Sequence, residues 1–300
     1  MMALPSLKAS VTAARRQLGK LHPRRIWEKI AWDYIERRTR RGNLKLVLYD
    51  PKLDLLRFPE PLEARALVRH DAIADAVPWM VKIEDRLPKG GIYFDVGAFR
   101  GITAQWFASR ADKVYAFEPM PENAESIRKV LKVRALGNVS VHELAVSDSS
   151  GSAKLNVHQV KGHNSLGTVT TSRYLYTITV PTTTLDEFAE QHGIERIDFL
   201  KIDVEGFEPE VLRGARRLLA ARKIGLMIFE VNKPILASMS KSLRSIYELL
   251  SAHSYAVADL DGRALSLSQF EALGSADALA YPGPDELAPH AKPERSRARD

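Results

Sequence analysis

The sequence predicts an α/β protein built on a doubly wound, mostly parallel sheet, and three observations carry that expectation. From residue 90 onward, short apolar runs such as "IYFDV", "KVYAFEP" and "IGLMIFEV" alternate with helix-length stretches, the pattern that parallel βαβ pairing produces. The first run ends in Asp95 and passes into a glycine-spaced turn, "DVGAFRG", that opens a helix. Open α/β sheets take their ligands at such carboxyl-terminal strand ends. No repeat of fixed period and no linker interrupts the alternation, so a single domain with an N-terminal extension is the simplest organisation.

In chain order, residues 1–42 read as a basic helical arm, and "LKLVLYDPKLDLLRF" reads as a hairpin turning at Asp50-Pro51. "PLEARALVRHDAIADAVPWMVKIEDRL" reads as helix with a break at Pro78. After the first strand come a helix, "ITAQWFASRA", the second strand "KVYAFEP", and a helix opened by Pro121. "VSVHELAV" reads as a third strand, followed by β-rich sequence from "AKLNVHQV" to "YTITVPTTTL". "LDEFAEQHG" is a short helix, "IDFLKIDV" a fourth strand, and "PEVLRGARRLLAARK" one helix. "IGLMIFEV" is a strand, "SKSLRSIYELLSAH" a helix, and "YAVADLDGRALSL" with "DALAYP" the closing strands. The expected division is an extension over 1–67, a domain over 68–282, and a proline-rich charged tail over 283–300 that reads as disordered.

Composition narrows the function. The chain has no cysteine, which excludes disulfides, thiolate metal sites and a cysteine nucleophile, and suits a reducing cytoplasm. Its net charge of +7 is unevenly placed. Residues 1–45 hold 12 Lys/Arg against 3 Asp/Glu, while the rest holds 32 against 34. The basic character belongs to the arm, so nucleic acid is not the expected partner of the body. The arm is either a solvated segment or a peripheral contact to the inner face of a membrane. No GxSxG, HExxH or CxxC is present, which argues against serine hydrolase, zincin and thiol redox chemistry.

The candidate site assembles at the strand ends. Gly97 and Gly101 allow backbone to approach a ligand, although the spacing is neither GxGxxG nor a P-loop. Glu118 ends the second strand 21 residues after Gly97, where an acid can accept hydrogen bonds from both ribose hydroxyls of a nucleoside. An exposed strand-end glutamate reads the same in sequence. Together with "AVSD" after the third strand, the pattern favours an adenosine-type cofactor. Asp203 and Glu205 end the fourth strand, and Glu230 and Asn232 the next. Carboxylates there can orient a hydroxyl, take its proton or hold a divalent cation; Glu205 also reads as an acid favoured by a helix N-terminus. A metal is not favoured, because no histidine pair reinforces the carboxylates. In the polar insertion "VKGHNSLGTV", His163, Asn164 and Ser165 can face the pocket.

These residues resemble the FkbM family of S-adenosylmethionine-dependent methyltransferases. "FDVGAFRG", "YAFEPMPEN", "AVSDSSG", "TTLDEF", "IDFLKIDVEGFEPEVLRGA" and "IFEVN" follow the family's blocks in order, over about residues 78–282. The resemblance implies a Rossmann-like class I methyltransferase, with a seven-stranded sheet ending in an antiparallel hairpin. It also implies S-adenosylmethionine as cofactor. Asp95, Gly97, Ala98 and Gly101 would hold its methionine part, Glu118 its ribose, and Ala145, Val146 and Asp148 would border its adenine. It implies O-methylation of a hydroxylated small molecule or glycan. For that reaction Asp203 is the first candidate for general base, with Glu205 or His163 behind it, and Asn164, Ser165, Glu230 and Asn232 are candidates for substrate contact. Phe99 departs from the family's usual DVGAN. An RNA methyltransferase tethered by the basic arm and a non-catalytic cofactor-binding module are the alternatives.

Overall fold

A computed structural model of the chain describes residues 46–50, 53–58, 78–159, 163–167 and 173–283. The chain divides into two units, Met1–Leu67 and Val68–Asp300. In the first, β1 (Leu46–Asp50) and β2 (Leu53–Phe58) pair antiparallel, as the hairpin reading expects. The basic arm, most of the helix expected over 61–87 and the tail after Gly283 lie outside the described residues.

The second unit opens with α1 (Pro78–Ile83), which starts where the break at Pro78 was expected. The alternation follows as β3 (Ile92–Val96), α2 (Ile102–Ala108), β4 (Lys113–Phe117), α3 (Pro121–Val133) and β5 (Val139–His142). An insertion comes next: β6 (Ala145–Val146), β7 (Gly151–His158) and β8 (Tyr174–Thr183). The chain continues with α4 (Leu185–Gln191), β9 (Ile197–Ile202), α5 (Glu208–Arg213), α6 (Arg216–Ala220) and β10 (Ile224–Asn232). It closes with α7 (Lys233–Ser238), α8 (Leu243–Ala252), β11 (Tyr255–Ala258), α9 (Leu267–Glu271) and β12 (Ser275–Pro282).

Seven strands form the main sheet in the order β5-β4-β3-β9-β10-β12-β11. The first five are parallel, and β12 runs antiparallel to both β10 and β11. Both faces are covered, which is why these strands read as apolar runs. One face carries α1, α2 and α3 through Met80, Ile83, Ala104, Phe107, Ile127 and Leu131. The other carries α4 to α9, with Phe188, Val211, Leu219, Leu236, Ile246 and Phe270 packed against Phe94, Leu200 and Phe229. The order reverses between β3 and β9, so their carboxyl ends diverge and leave a crevice.

Three readings needed correction. "VSVHELAV" is not one strand: the chain leaves the sheet at Glu143-Leu144, and β6 joins β8 and β7 in a separate three-stranded sheet. "PEVLRGARRLLAARK" is two short helices parted at Gly214-Ala215, where Ala215 leaves the helical conformation and Gly214 packs so tightly on the Ser147 carbonyl oxygen that a Cβ would fall 2.1 Å from it. The closing segment "YAVADLDGRALSL" is a strand only over its first four residues, and α7 and α9 went unread. Both are brief and begin at side-chain caps: Asn232 accepts from the Ile235 N–H, and Ser266 forms a reciprocal capping box with Gln269.

Candidate functional site

The carboxyl ends of β3, β4 and β9, together with the segment entering β6, surround an open cleft. Its empty volume, open solvent at its mouth included, is about 580 Å³. Gly97 and Phe99 line it from the turn after β3, and Glu118 and Asn123 from the end of β4. Leu144, Ala145 and Val146 form the wall before and along β6. The inserted sheet and its loop add Leu155, Asn164, Ser165 and Leu166, and the end of β9 adds Asp203, Val204 and Phe207.

The turn after β3 is held in a demanding backbone conformation. Gly97 has φ 80°, and a Cβ there would lie 1.9 Å from the Asp203 carbonyl oxygen. Its glycine is therefore required by the approach of the turn to the end of β9. Phe99 has φ 49°, in the left-handed region that asparagine tolerates far better than a bulky side chain. This gives the DVGAN pattern a backbone reason, and Phe99 keeps the same turn at a conformational cost.

Glu118 is buried, and its carboxylate is organised by three donors. The Phe99 N–H bonds Oε2 at 2.8 Å, while the Met120 N–H and Asn123 Nδ2 bond Oε1 at 3.0 and 3.1 Å. A carboxylate offers about four acceptor positions, so capacity remains on Oε2, and Glu118 lines the cleft. Burial pushes its pKa up to about 7, against the lowering effect of those donors and of Lys201. A buried acid with unused acceptor capacity, beside the apolar wall of Leu144, Ala145 and Val146, fits a ribose and a flat base. The residues present therefore fit a nucleoside cofactor.

The other expected cofactor residues stand behind the lining. Asp95 is fully buried, accepts from the Thr103 hydroxyl and pairs with Lys201. Ala98 is in the core and Gly101 caps α2. Asp148 is outside the lining, paired with Arg213 at 3.6 Å.

Carboxylates gather at the β9 and β10 ends. Asp203, Glu205 and Glu230 each place an oxygen within 4.8 Å of the others. Three oxygens at that spacing can hold a hard divalent cation. Burial, then the charges of Asp203 and Glu208, push Glu205 up to about 8, with Lys201 offsetting part. Burial, then Asp203, Glu205, Glu208 and Asp277, likewise push Glu230 well above the usual carboxylate range. Glu205 also sits at φ 53°, so strain and like charge are concentrated here. Asn164 and Ser165 border the cleft, and the Ser165 hydroxyl donates to the Glu205 carbonyl at 2.8 Å. Asn232 caps α7, and His163 is not among the lining residues.

Lys201 is the principal residue that the sequence reading passed over. Its ammonium, buried in β9, bonds the Gly97 carbonyl at 2.8 Å and pairs with Asp95 at 3.2 Å and Asp203 at 3.3 Å. Burial alone would lower its pKa, but the Asp203 and Asp95 carboxylates prevail and hold it above its ordinary value. A lone lysine inside the apolar run "IDFLKIDV" was the available signal.

A doubly wound sheet with this strand order, and a cleft at its switch point fitted to a nucleoside, defines a class I methyltransferase. The methyltransferase FkbM domain matches residues 95–257, more than half of the chain. The chain belongs to that family and is an S-adenosylmethionine-dependent methyltransferase. It is 27% identical over 177 residues to the 2-O-methyltransferase NoeI of Sinorhizobium fredii, covering 53% of this chain and 70% of that one. It is 29% identical over 141 residues to the hexuronic acid methyltransferase AglP of Haloferax volcanii, covering 47% and 56% respectively. Among solved structures, it is similar to methyltransferase FkbM from Methylobacillus flagellatus KT, at 16% identity and TM-score 0.40, covering 65% of this chain and 43% of that one. Among the described residues, no helix is long and apolar enough to cross a membrane.

Proposed function

We propose that this protein transfers a methyl group from S-adenosylmethionine to a hydroxyl oxygen of a sugar or glycan. The observation that carries the reading is a single cleft with the organised Glu118 carboxylate at one strand end and Asp203 at another, Glu205 and Glu230 beside it. The name of one curated relative, a 2-O-methyltransferase, supports an oxygen acceptor, and that of the other, a hexuronic acid methyltransferase, supports a sugar.

In this reading Glu118 accepts from the ribose hydroxyls, and the Gly97 turn and the Ala145–Val146 wall enclose the rest of the nucleoside. Bound there, S-adenosylmethionine supplies a methyl group on a sulfonium, whose sulfur keeps the bonding pair when the methyl leaves. The protein's work is to align the acceptor oxygen and exclude water. Asp203, Glu205 and Glu230 orient the acceptor hydroxyl, and one of these carboxylates receives its proton, a contribution of about 10²–10⁴-fold. Asn164 and Ser165 border the acceptor. Carboxylates at this end repel a phosphate backbone, which disfavours RNA as substrate.

The test is transfer of labelled methyl from S-adenosylmethionine into a panel of neutral hexosides and into a cell-envelope glycan fraction. The expected product is an alkali-stable methyl ether on a sugar oxygen. Label in RNA, or no label in any carbohydrate while the cofactor binds, would contradict the proposal.

A further inference from the structure

Lys201 and Asp95 face each other in register across β3 and β9, on the face of the sheet covered by α2 and α3. The lysine side chain is 6% exposed. An ammonium has three protons to donate, and three acceptors surround this one: the Gly97 carbonyl, Asp95 and Asp203. It hydrogen-bonds the Gly97 carbonyl and ion-pairs with both carboxylates, so the protein itself engages it.

Two of those acceptors, Gly97 and Asp203, line the cleft. They belong to different strand ends, and the missing Cβ of Gly97 is what lets the two backbones touch. The Asp203 N–H donates to the Val96 carbonyl at 3.1 Å, and Lys201 adds a side-chain tie between the turn and the Asp203 carboxylate. Asp203 itself is 46% exposed at its side chain, so without this pairing its carboxylate would be free to turn towards solvent.

We propose that Lys201 is a positioning residue that locks the cofactor turn to Asp203, so that the cofactor and acceptor halves of the cleft form one preorganised unit. The proposal rests on the methyltransferase reading given above. A lock of this kind has a thermodynamic signature: the turn and the Asp203 carboxylate are coupled through one side chain, and removing either tie changes the worth of the other.

The experiment is calorimetric titration of S-adenosylhomocysteine into the full chain and its variants, well below each melting temperature. Lys201→Met should weaken binding about tenfold, the loss expected when one organising hydrogen bond at the turn is released. Lys201→Arg, which restores the cation, should recover most of that loss. In a cycle with Asp203→Asn, the two substitutions should be non-additive by about threefold or more. If Lys201→Met does not fold, Lys201→Gln is titrated in its place with the same expectation. Wild-type affinity in the folded Lys201 variant, or strict additivity with Asp203→Asn, would overturn the proposal. Failure of the wild-type chain itself to bind would instead overturn the functional reading.

Discussion

The two halves of the cleft are built on opposite electrostatic plans. At the cofactor half a single carboxylate, Glu118, is met by three hydrogen-bond donors and left one opening. At the acceptor half burial, reinforced by the charge of Asp203, raises the proton affinity of Glu205, Glu208, Glu230 and Asp277, with Lys201 offsetting part of it at Glu205 and Asp277. The first arrangement fixes the acceptor oxygens in place, which in our reading suits recognition of a diol. The second keeps protons mobile near neutrality, which suits a site that must accept one from an alcohol. In our reading binding and chemistry fall to different strand ends of one sheet, joined through Lys201, and substitutions away from that tie disturb each separately.

The largest disturbance expected is of chemistry alone. Replacing Glu205 and Glu230 together by glutamine should lower kcat by about 10²–10⁴-fold, with S-adenosylhomocysteine affinity within about twofold of wild type. A comparable fall in cofactor affinity would erase the division. The cofactor half should then show its own pH dependence. Glu118 has its pKa raised to about 7, so acidification through that value protonates it and removes an acceptor for ribose. Cofactor affinity should fall as pH drops from 8 to 5, and calorimetry on Glu118→Gln should show a flat profile over the same range.

Stability should move the other way. Glu118 and Glu208, raised to about 7, and Glu205, raised to about 8, hold protons more tightly folded than unfolded. Their contribution is intact below their unfolded value near 4.5 and declines as pH rises through the folded values. His142 acts oppositely. Burial, with the charges of His192, Arg128 and Lys113, lowers it to about 4, so stability is lost as pH falls from 6.5 towards that value. Thermal melts should therefore peak on the acidic side of neutrality and decline towards pH 9. A peak at pH 8 or above would contradict the raised carboxyls. The smallest effect concerns the strained turn: Phe99→Asn should stabilise the fold by about 1 kcal/mol, read as a rise in Tm of about 2–4 °C.

The cofactor half was the more legible in sequence because its signals are local. Asp95, Gly97 and Gly101 sit within one turn, and Glu118 falls at the tip of the adjacent strand, so strand alternation alone brings Gly97 and Glu118 to one cleft. The convergence of Asp203, Glu205 and Glu230 could also be anticipated, since β9 and β10 are sequential parallel neighbours. Three features could not be read. Lys201 hid in an apolar run, because two of its three partners, Asp95 and Gly97, lie more than a hundred residues away. The setting of Asp95, buried against Thr103 and the distant Lys201, is not recorded in the turn that contains it. The departure of β6 from the sheet depends on its pairing with β8, which no pattern within "VSVHELAV" records. In each case the deciding partner is distant in sequence, and local propensity carries no information about it.

The division of labour is tested most directly by titrating S-adenosylhomocysteine into Glu118→Gln and Glu230→Gln side by side at pH 8. The account predicts a loss of about tenfold or more in affinity for Glu118→Gln, as one charged acceptor is withdrawn from the ribose, and affinity within about twofold of wild type for Glu230→Gln. Unchanged binding in Glu118→Gln, or the larger loss in Glu230→Gln, would contradict it.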